Sequence, residues 1–157
     1  MAILSALERA LDEGRVPYEV RSHPKAFTAR GVAAAEHVPG IDVAKVVVLH
    51  ADGGFLMAVL PALYRVDVTR LRHETGTQHL HLASEEDLSR LFPECEPGAM
   101  PPFGKLYGIP VWVDEPLTRE HQIVFNAGTH TETVHLAYDD FARLVQPHVA
   151  SFGERDD

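Results

Sequence analysis

The chain has 157 residues, 45% hydrophobic and 24% charged, the size and balance of one ordinary globular domain and not of two domains or a disordered chain. Its formal net charge of -9 excludes broad, sequence-independent nucleic-acid binding, because neutralising many phosphates takes a basic face. A single cysteine, Cys95, excludes an internal disulfide and a CxxC zinc site, and fits a reducing cytoplasm.

The charge is uneven along the chain. Residues 1–72 hold nine Lys/Arg against eight Asp/Glu, whereas residues 73–157 hold five against fifteen, so a polyanion is expected to approach the N-terminal half. The first residues are too acidic for a secretory signal, and no apolar run reaches membrane-spanning length. A soluble, cytoplasmic protein without a membrane partner is expected.

Ile3, Leu4, Leu7 and Leu11 recur at helical spacing, and Gly14 stands where that helix would stop. Tyr18 to Ser22 alternates as a short strand, after which Thr28 is an N-cap for the alanine-rich stretch Ala29 to His37, ended by Pro39-Gly40. Lys45 to His50 and Phe55 to Leu60 are apolar runs joined through Asp52-Gly53-Gly54, residues that tolerate positive φ and so suit a hairpin turn. Asp67 is placed to cap a short helix through Leu71, His79 to Leu82 alternates as a strand, and Ser84 with Asp87 forms a capping box ahead of Leu88 and Leu91.

From Pro93 to Pro102 four prolines and one glycine forbid regular structure and imply a stiffened loop. Ile109 to Val113, Gln122 to Phe125 and Thr133 to Ala137 read as strands. Asp139 is expected to cap a closing helix with Phe141, Leu144 and Val145 inward, stopped by Pro147. Helices and strands interleave without a βαβ rhythm, which predicts an α+β single domain: a curled, mixed, largely antiparallel sheet of about six to seven strands with flanking helices. The domain is expected over residues 1–152, with 153–157 as a frayed tail.

Three features are candidates for chemistry. Lys45 opens a run that is apolar on both faces, so its ammonium either snorkels to water or points into a cavity. The loop Gly98-Ala-Met-Pro-Pro102-Phe-Gly104 combines glycines that permit close backbone approach with prolines that hold it rigid. Asn126-Ala-Gly-Thr-His130 gathers an amide, a hydroxyl and an imidazole around a glycine after an apolar strand; it is either a site wall or a turn satisfying its own backbone.

Taken together these features resemble the YbaK/prolyl-tRNA synthetase-associated domain, a family that hydrolyses wrongly charged aminoacyl-tRNA, and the resemblance covers most of the chain. It implies that Lys45 holds the aminoacyl group or its linkage, that Gly98 and the GxxxP loop through Pro102 and Gly104 present backbone groups to the substrate, and that Asn126, Gly128, Thr129 and His130 close the opposite wall. It places side-chain-sensing residues at Phe27 and Thr28, with Phe27 as a size filter. Catalytic roles then fall to Lys45, Gly98 and His130, the last donating to an ester carbonyl or positioning water. No cofactor and no metal are implied. The implied partners are the acceptor end of tRNA and, as a further source of affinity, an aminoacyl-tRNA synthetase.

The expected activity is trans-editing: hydrolysis of the ester of a mischarged tRNA, with proline tRNA bearing a small wrong amino acid as the substrate. Arg15, Arg21, Lys25 and Arg30 are candidate phosphate contacts. A non-catalytic binding module of the same fold is the alternative. A metal-assisted hydrolase built on His79 and His81 is disfavoured, as neither HExxH nor an obvious third ligand is present. Cys95, in an acidic, proline-rich segment, is not expected to be a nucleophile, and no GxSxG elbow occurs.

Overall fold

A computed structural model of the chain describes residues 3–156. The amphipathic opening segment forms α1 (Ser5–Glu13), with Leu7 and Leu11 fully buried and Gly14 at its C-cap. Strand β1 (Tyr18–Ser22) follows. Helix α2 (Ala29–Glu36) is capped as expected, the Thr28 hydroxyl accepting from Gly31 N at 2.9 Å. It stops earlier than Pro39-Gly40, at His37 in the left-handed region with φ 56°.

The hairpin joins β2 (Ala44–Ala51) to β3 (Gly54–Pro61). The positive φ falls on Asp52, whose carboxylate also accepts from His79 N at 2.8 Å and so ties the turn to the residue that precedes Leu80. Strand β4 (Tyr64–Val66) comes next, then α3 (Val68–Thr75), capped by Asp67 and running beyond Leu71 to Gly76. After β5 (Leu80–Leu82), the capping box of Ser84 and Asp87 opens α4 (Glu85–Leu91).

Beyond the proline loop lie β6 (Val111–Asp114), β7 (Gln122–Asn126), β8 (Glu132–Ala137) and α5 (Tyr138–Val145). The N-cap of α5 is Ala137, without a side-chain bond. Asp139, expected as the cap, sits in the first turn, where its charge still faces the positive end of the helix. Short strands β9 (His148–Ala150) and β10 (Gly153–Arg155) complete the described chain.

The fold is α+β, with a mixed, mainly antiparallel arrangement of strands and flanking helices. The ten described strands divide among three sheets: β1-β8-β7, β5-β2-β3-β6-β9 and β10-β4. Within these sheets only the β3–β6 and β6–β9 pairings are parallel. Met57 to Leu60 of β3 are fully buried, as a strand covered on both faces requires. One core packs α1 and α5, through Leu7, Leu11, Phe141 and Val145, against Met57, Val113, Phe125 and Val134. A second core on the other side gathers Leu49, Leu60, Leu71 and Phe152.

The tail is not frayed at 153–155. Strand β10 pairs antiparallel with β4, and the buried Asp114 carboxylate accepts from Phe152 N at 2.9 Å and Gly153 N at 3.0 Å. Arg70 adds bonds to the carbonyls of Ser151 and Gly153. The backbone of this tail is therefore held by an aspartate about forty positions upstream, while the Glu154 and Arg155 side chains stay exposed; Asp157 lies outside the described residues.

One junction sets up the site. A parallel bridge joins Val43 to Val124, reinforced by Val124 N donating to Asp42 O at 2.9 Å, and Val32 and Ala33 of α2 pack over it. Two residues further along each strand stand Lys45 and Asn126, brought side by side by register alone.

Candidate functional site

A cavity of about 380 Å³ opens where α2, β2, β7 and the proline loop meet. Phe27, Thr28 and Arg30 border it from the start of α2, Lys45 from β2, Asn126 from β7 and Gly98 from the proline loop. Ala44 and Ala62 keep its wall shallow, and Asp156 closes one side. Five of the ten residues expected in the site thus share one cavity although they lie in four distant stretches of sequence.

Lys45 is half-buried, and among the described residues its ammonium has no hydrogen-bond partner. Burial pushes its pKa below the usual lysine value; the Asp156 carboxylate opposes that shift and Arg30 adds to it. The result is a cation already stripped of part of its water and free to bond a ligand. Asn126 offers a side-chain oxygen that is buried and unpartnered.

Gly98 has φ +86°, a conformation that favours glycine. Two interlocked loops hold it there. Glu96 N donates to Gly128 O at 2.8 Å, Gly128 N to Ala99 O at 3.0 Å, and His130 N to the Glu96 carboxylate at 2.6 Å. His130 Nε2 lies 2.8 Å from Pro97 O; a carbonyl only accepts, so that nitrogen carries the proton. The donor proposed for an ester carbonyl is therefore committed to the loop, leaving Nδ1 buried without a partner. His130 stands behind the cavity wall, with Cε1 3.7 Å from where a Cβ on Gly98 would be.

Four expected site residues lie elsewhere. Pro102 and Gly104 are buried next to Phe103, which packs on Phe125 and Phe141. Gly104 is needed there because a Cβ would fall 2.1 Å from Ile109 O; the second half of the glycine-proline motif is thus packing. Gly128 and Thr129 face a separate surface depression beside Leu4 and Glu94, and their polar groups serve the turn, as in Thr131 N to Thr129 Oγ1 at 3.3 Å. Thr28 borders the cavity with its hydroxyl already used as the cap of α2. Phe27 stands on the rim, 72% exposed, not inside as a size filter would.

A buried polar cluster backs the α2 wall. Glu36 Oε1 accepts from His135 Nε2 at 2.7 Å and Oε2 from Thr133 Oγ1 at 2.6 Å, with His23 Nε2 at 3.5 Å. The side chains of Glu36, His23 and His135 are at most 3% exposed. The cluster thus ties α2, β8 and the residue that opens the segment leading to Phe27. The visible sequence signal is that Glu36 follows Val32 by four and Ala33 by three, which puts a carboxylate on the buried face of its helix. For Asp156 there is no such signal.

Outside the cavity, the Cys95 thiol is pushed up mainly by burial, and its sulfur lies 3.6 Å from the Tyr107 hydroxyl. His79 and His81 lie exposed on and beside β5, where His81 stacks on His50 at 5.1 Å. Among the described residues no three His, Cys, Asp or Glu side chains converge as a metal site.

The family model of the aminoacyl-tRNA editing domain matches residues 23–144. Curated relatives in two Escherichia coli strains, K12 and O157:H7, each named multifunctional Ser/Thr-tRNA deacylase ProXp-y, are 31% identical over 102 residues, 62% of this chain and 58% of theirs. The chain thus spans little more than half the length of those relatives. The solved hypothetical protein APE2540 superposes with a TM-score of 0.85 at 17% identity, over 94% of this chain and 99% of its own. A protein described as a candidate trans-editing enzyme for prolyl tRNA synthetase superposes at 0.82 with 21% identity, over 94% of both chains. At these identities the two structures establish the fold.

Proposed function

The chain belongs to the aminoacyl-tRNA editing domain family, that of the YbaK/prolyl-tRNA synthetase-associated domains, and from that premise we propose that it is a trans-editing deacylase. It hydrolyses the ester between a wrong amino acid and the terminal ribose of tRNA, with proline tRNA carrying a small amino acid as the substrate and the cytoplasm as the place of action. The observation that carries this reading is the partly desolvated Lys45 ammonium, unpartnered among the described residues and sharing one small cavity with Asn126 and Gly98.

The chemistry asks little of the protein. An aminoacyl ester is activated and adjoins a ribose hydroxyl, so holding the ester and a water in line contributes most of what is needed. Water adds to the carbonyl carbon, the carbon–oxygen bond to the ribose breaks, and the ribose oxygen leaves with a proton. Lys45 donates to the ester or the terminal phosphate, the left-handed backbone at Gly98 faces the carbonyl, and Asn126 fixes the amino acid from the side. His130 acts through Gly98, by pinning Pro97. Ala44 and Ala62 leave space that larger side chains exceed, so volume does the sorting that a synthetase cannot do by binding alone.

The acceptor end enters from the side of Arg30 and Lys25, the less acidic half of the molecule. A synthetase partner supplies affinity that a chain of this net charge does not. The test is release of amino acid from a panel of mischarged proline tRNAs in metal-free buffer, by the parent and by Lys45→Ala. Hydrolysis of one small amino acid, lost in the variant, is expected. Ligand binding with no turnover on any member would move the protein to the non-catalytic module.

A further inference from the structure

Phe27 is the most exposed large hydrophobic side chain among the described residues, at 72%, yet the backbone that carries it is fixed. His23 N donates to Thr131 O at 2.9 Å, Ala26 N to His130 O at 3.1 Å, and Thr28 caps α2 immediately after it. The ring leans on His130 in a tilted contact, with centroids 4.9 Å apart and planes at 56°, that leaves most of the side chain exposed. The Lys25 ammonium hovers 5.7 Å from its centroid. Arg30 and Lys45 border the same cavity, where Asp156 is the carboxylate. An anchored, outward aromatic ring beside three cations, on the rim of a cavity sized for an aminoacyl group, matches what a nucleotide carrying an amino acid requires: a flat hydrocarbon face for the base and positive charge for the phosphate.

We propose that Phe27 is a stacking platform for the base of the terminal nucleotide to which the amino acid is esterified, with Lys25 and Arg30 facing the phosphate of that nucleotide. This rests on the deacylase reading and names a second contact for the same substrate: the cavity holds the amino acid, the rim holds the base. Phe27 then selects the carrier and not the side chain, which is why it stands outside the cavity. Stacking on an aromatic is tolerant of base identity and changes affinity on the order of 10- to 100-fold per base.

The test compares two esters of equal intrinsic reactivity, the alanyl ester on the ribose of adenosine 5′-monophosphate and the same ester on a ribose 5-phosphate lacking the base. The expected result is a preference of the parent for the base-bearing ester of on the order of 10- to 100-fold in kcat/KM, carried mainly by KM. In Phe27→Ala and Phe27→Leu that ratio collapses toward one, and in Phe27→Trp it is kept. A parent with no preference between the esters would overturn the platform. So would a preference that survives in Phe27→Ala. If the parent cleaves neither ester, the deacylase reading is what fails; the platform then stands or falls on adenosine 5′-monophosphate binding followed by NMR, which must be present in the parent and weakened in Phe27→Ala.

Discussion

Replacing Glu36 by alanine is expected to cost the fold about 3–5 kcal/mol, the usual penalty for removing one partner of a buried charged pair. In the native protein its two oxygens accept short bonds from Thr133 and His135, at 2.6 and 2.7 Å, and His23 faces them at 3.5 Å. Alanine leaves the Thr133 hydroxyl and the His135 Nε2–H without an acceptor in a wall where the flanking side chains are at most 3% exposed. Each orphaned donor costs about 1–3 kcal/mol, and the two together agree with the pair estimate. Total stability for a domain is about 5–15 kcal/mol, so the variant folds but is marginal. In urea the midpoint is expected to fall by about 2 M at a slope of about 2 kcal/mol/M, with the slope unchanged. Glu36→Gln keeps one carbonyl acceptor and is expected to lie between parent and alanine. A loss below about 1 kcal/mol at unchanged slope would refute the reasoning, because it would mean that the carboxylate is not the shared acceptor of Thr133 and His135. The same substitution frees His23 at the base of the segment carrying Phe27, so KM for a nucleotide ester is expected to rise more than kcat falls.

Two further outcomes follow from the site. Because Asp156 opposes the downward shift of Lys45, Asp156→Asn is expected to lower the Lys45 pKa further; activity that needs the ammonium then disappears at a lower pH as pH rises, and a parent and variant with the same alkaline limb would contradict this. The sign for folding is the reverse of a stabilising pair: with its folded pKa below the unfolded value, Lys45 costs stability while both states are protonated, and that cost fades as pH climbs from the folded pKa to the unfolded one. The two glycines of the proline loop are expected to separate by assay. Gly104→Ala drives a methyl into Ile109 O and lowers stability by about 1–3 kcal/mol. Gly98→Ala meets only His130 Cε1, at an ordinary contact distance of 3.7 Å, but has a left-handed φ, and so lowers kcat/KM on a mischarged tRNA more than it lowers the urea midpoint.

Most of the elements were legible because their signals are local. Thr28, Asp67 and Ser84 announce helix starts through an oxygen placed for a free N–H, and the apolar period marks α1 and the hairpin strands. What local signals do not carry is how strands assort. The division into three sheets depends on pairings such as that of β1 with β8, whose partners lie over a hundred residues apart, and β10 exists because Asp114 captures two amides of the tail. The site shows the same split. Lys45 was conspicuous as a charge opening a buried strand. Gly104 and Pro102 looked like part of the site because a glycine needed for packing and one needed for a ligand read identically, and only the 2.1 Å approach to Ile109 O tells them apart. Asp156 had no signal, since its place on the cavity is fixed by contacts made elsewhere.

The unsatisfied polar atoms point to where the fold has been shaped for something other than stability. Five buried side-chain atoms lack a hydrogen-bond partner among the described residues, and four of them belong to His23, Asn126, His130 and His135. Asn126 borders the cavity, His130 braces Gly98, and His23 and His135 back the wall that α2 presents. A sequence selected for stability alone would replace such groups with apolar ones of similar size, since an orphaned buried acceptor is a standing cost. Their clustering behind one small cavity, beside a lysine that also destabilises, is the pattern expected where rigidity of a binding surface is worth more than the stability it forgoes. Each network fixes a piece of wall that no helix or sheet ladder holds: Glu36 the start of the Phe27 segment, His130 the turn at Gly98, Asp114 the strand that delivers Asp156. The deacylase proposed above, working without a strong general base, would depend on that fixity, because orientation is the larger part of what such a site contributes.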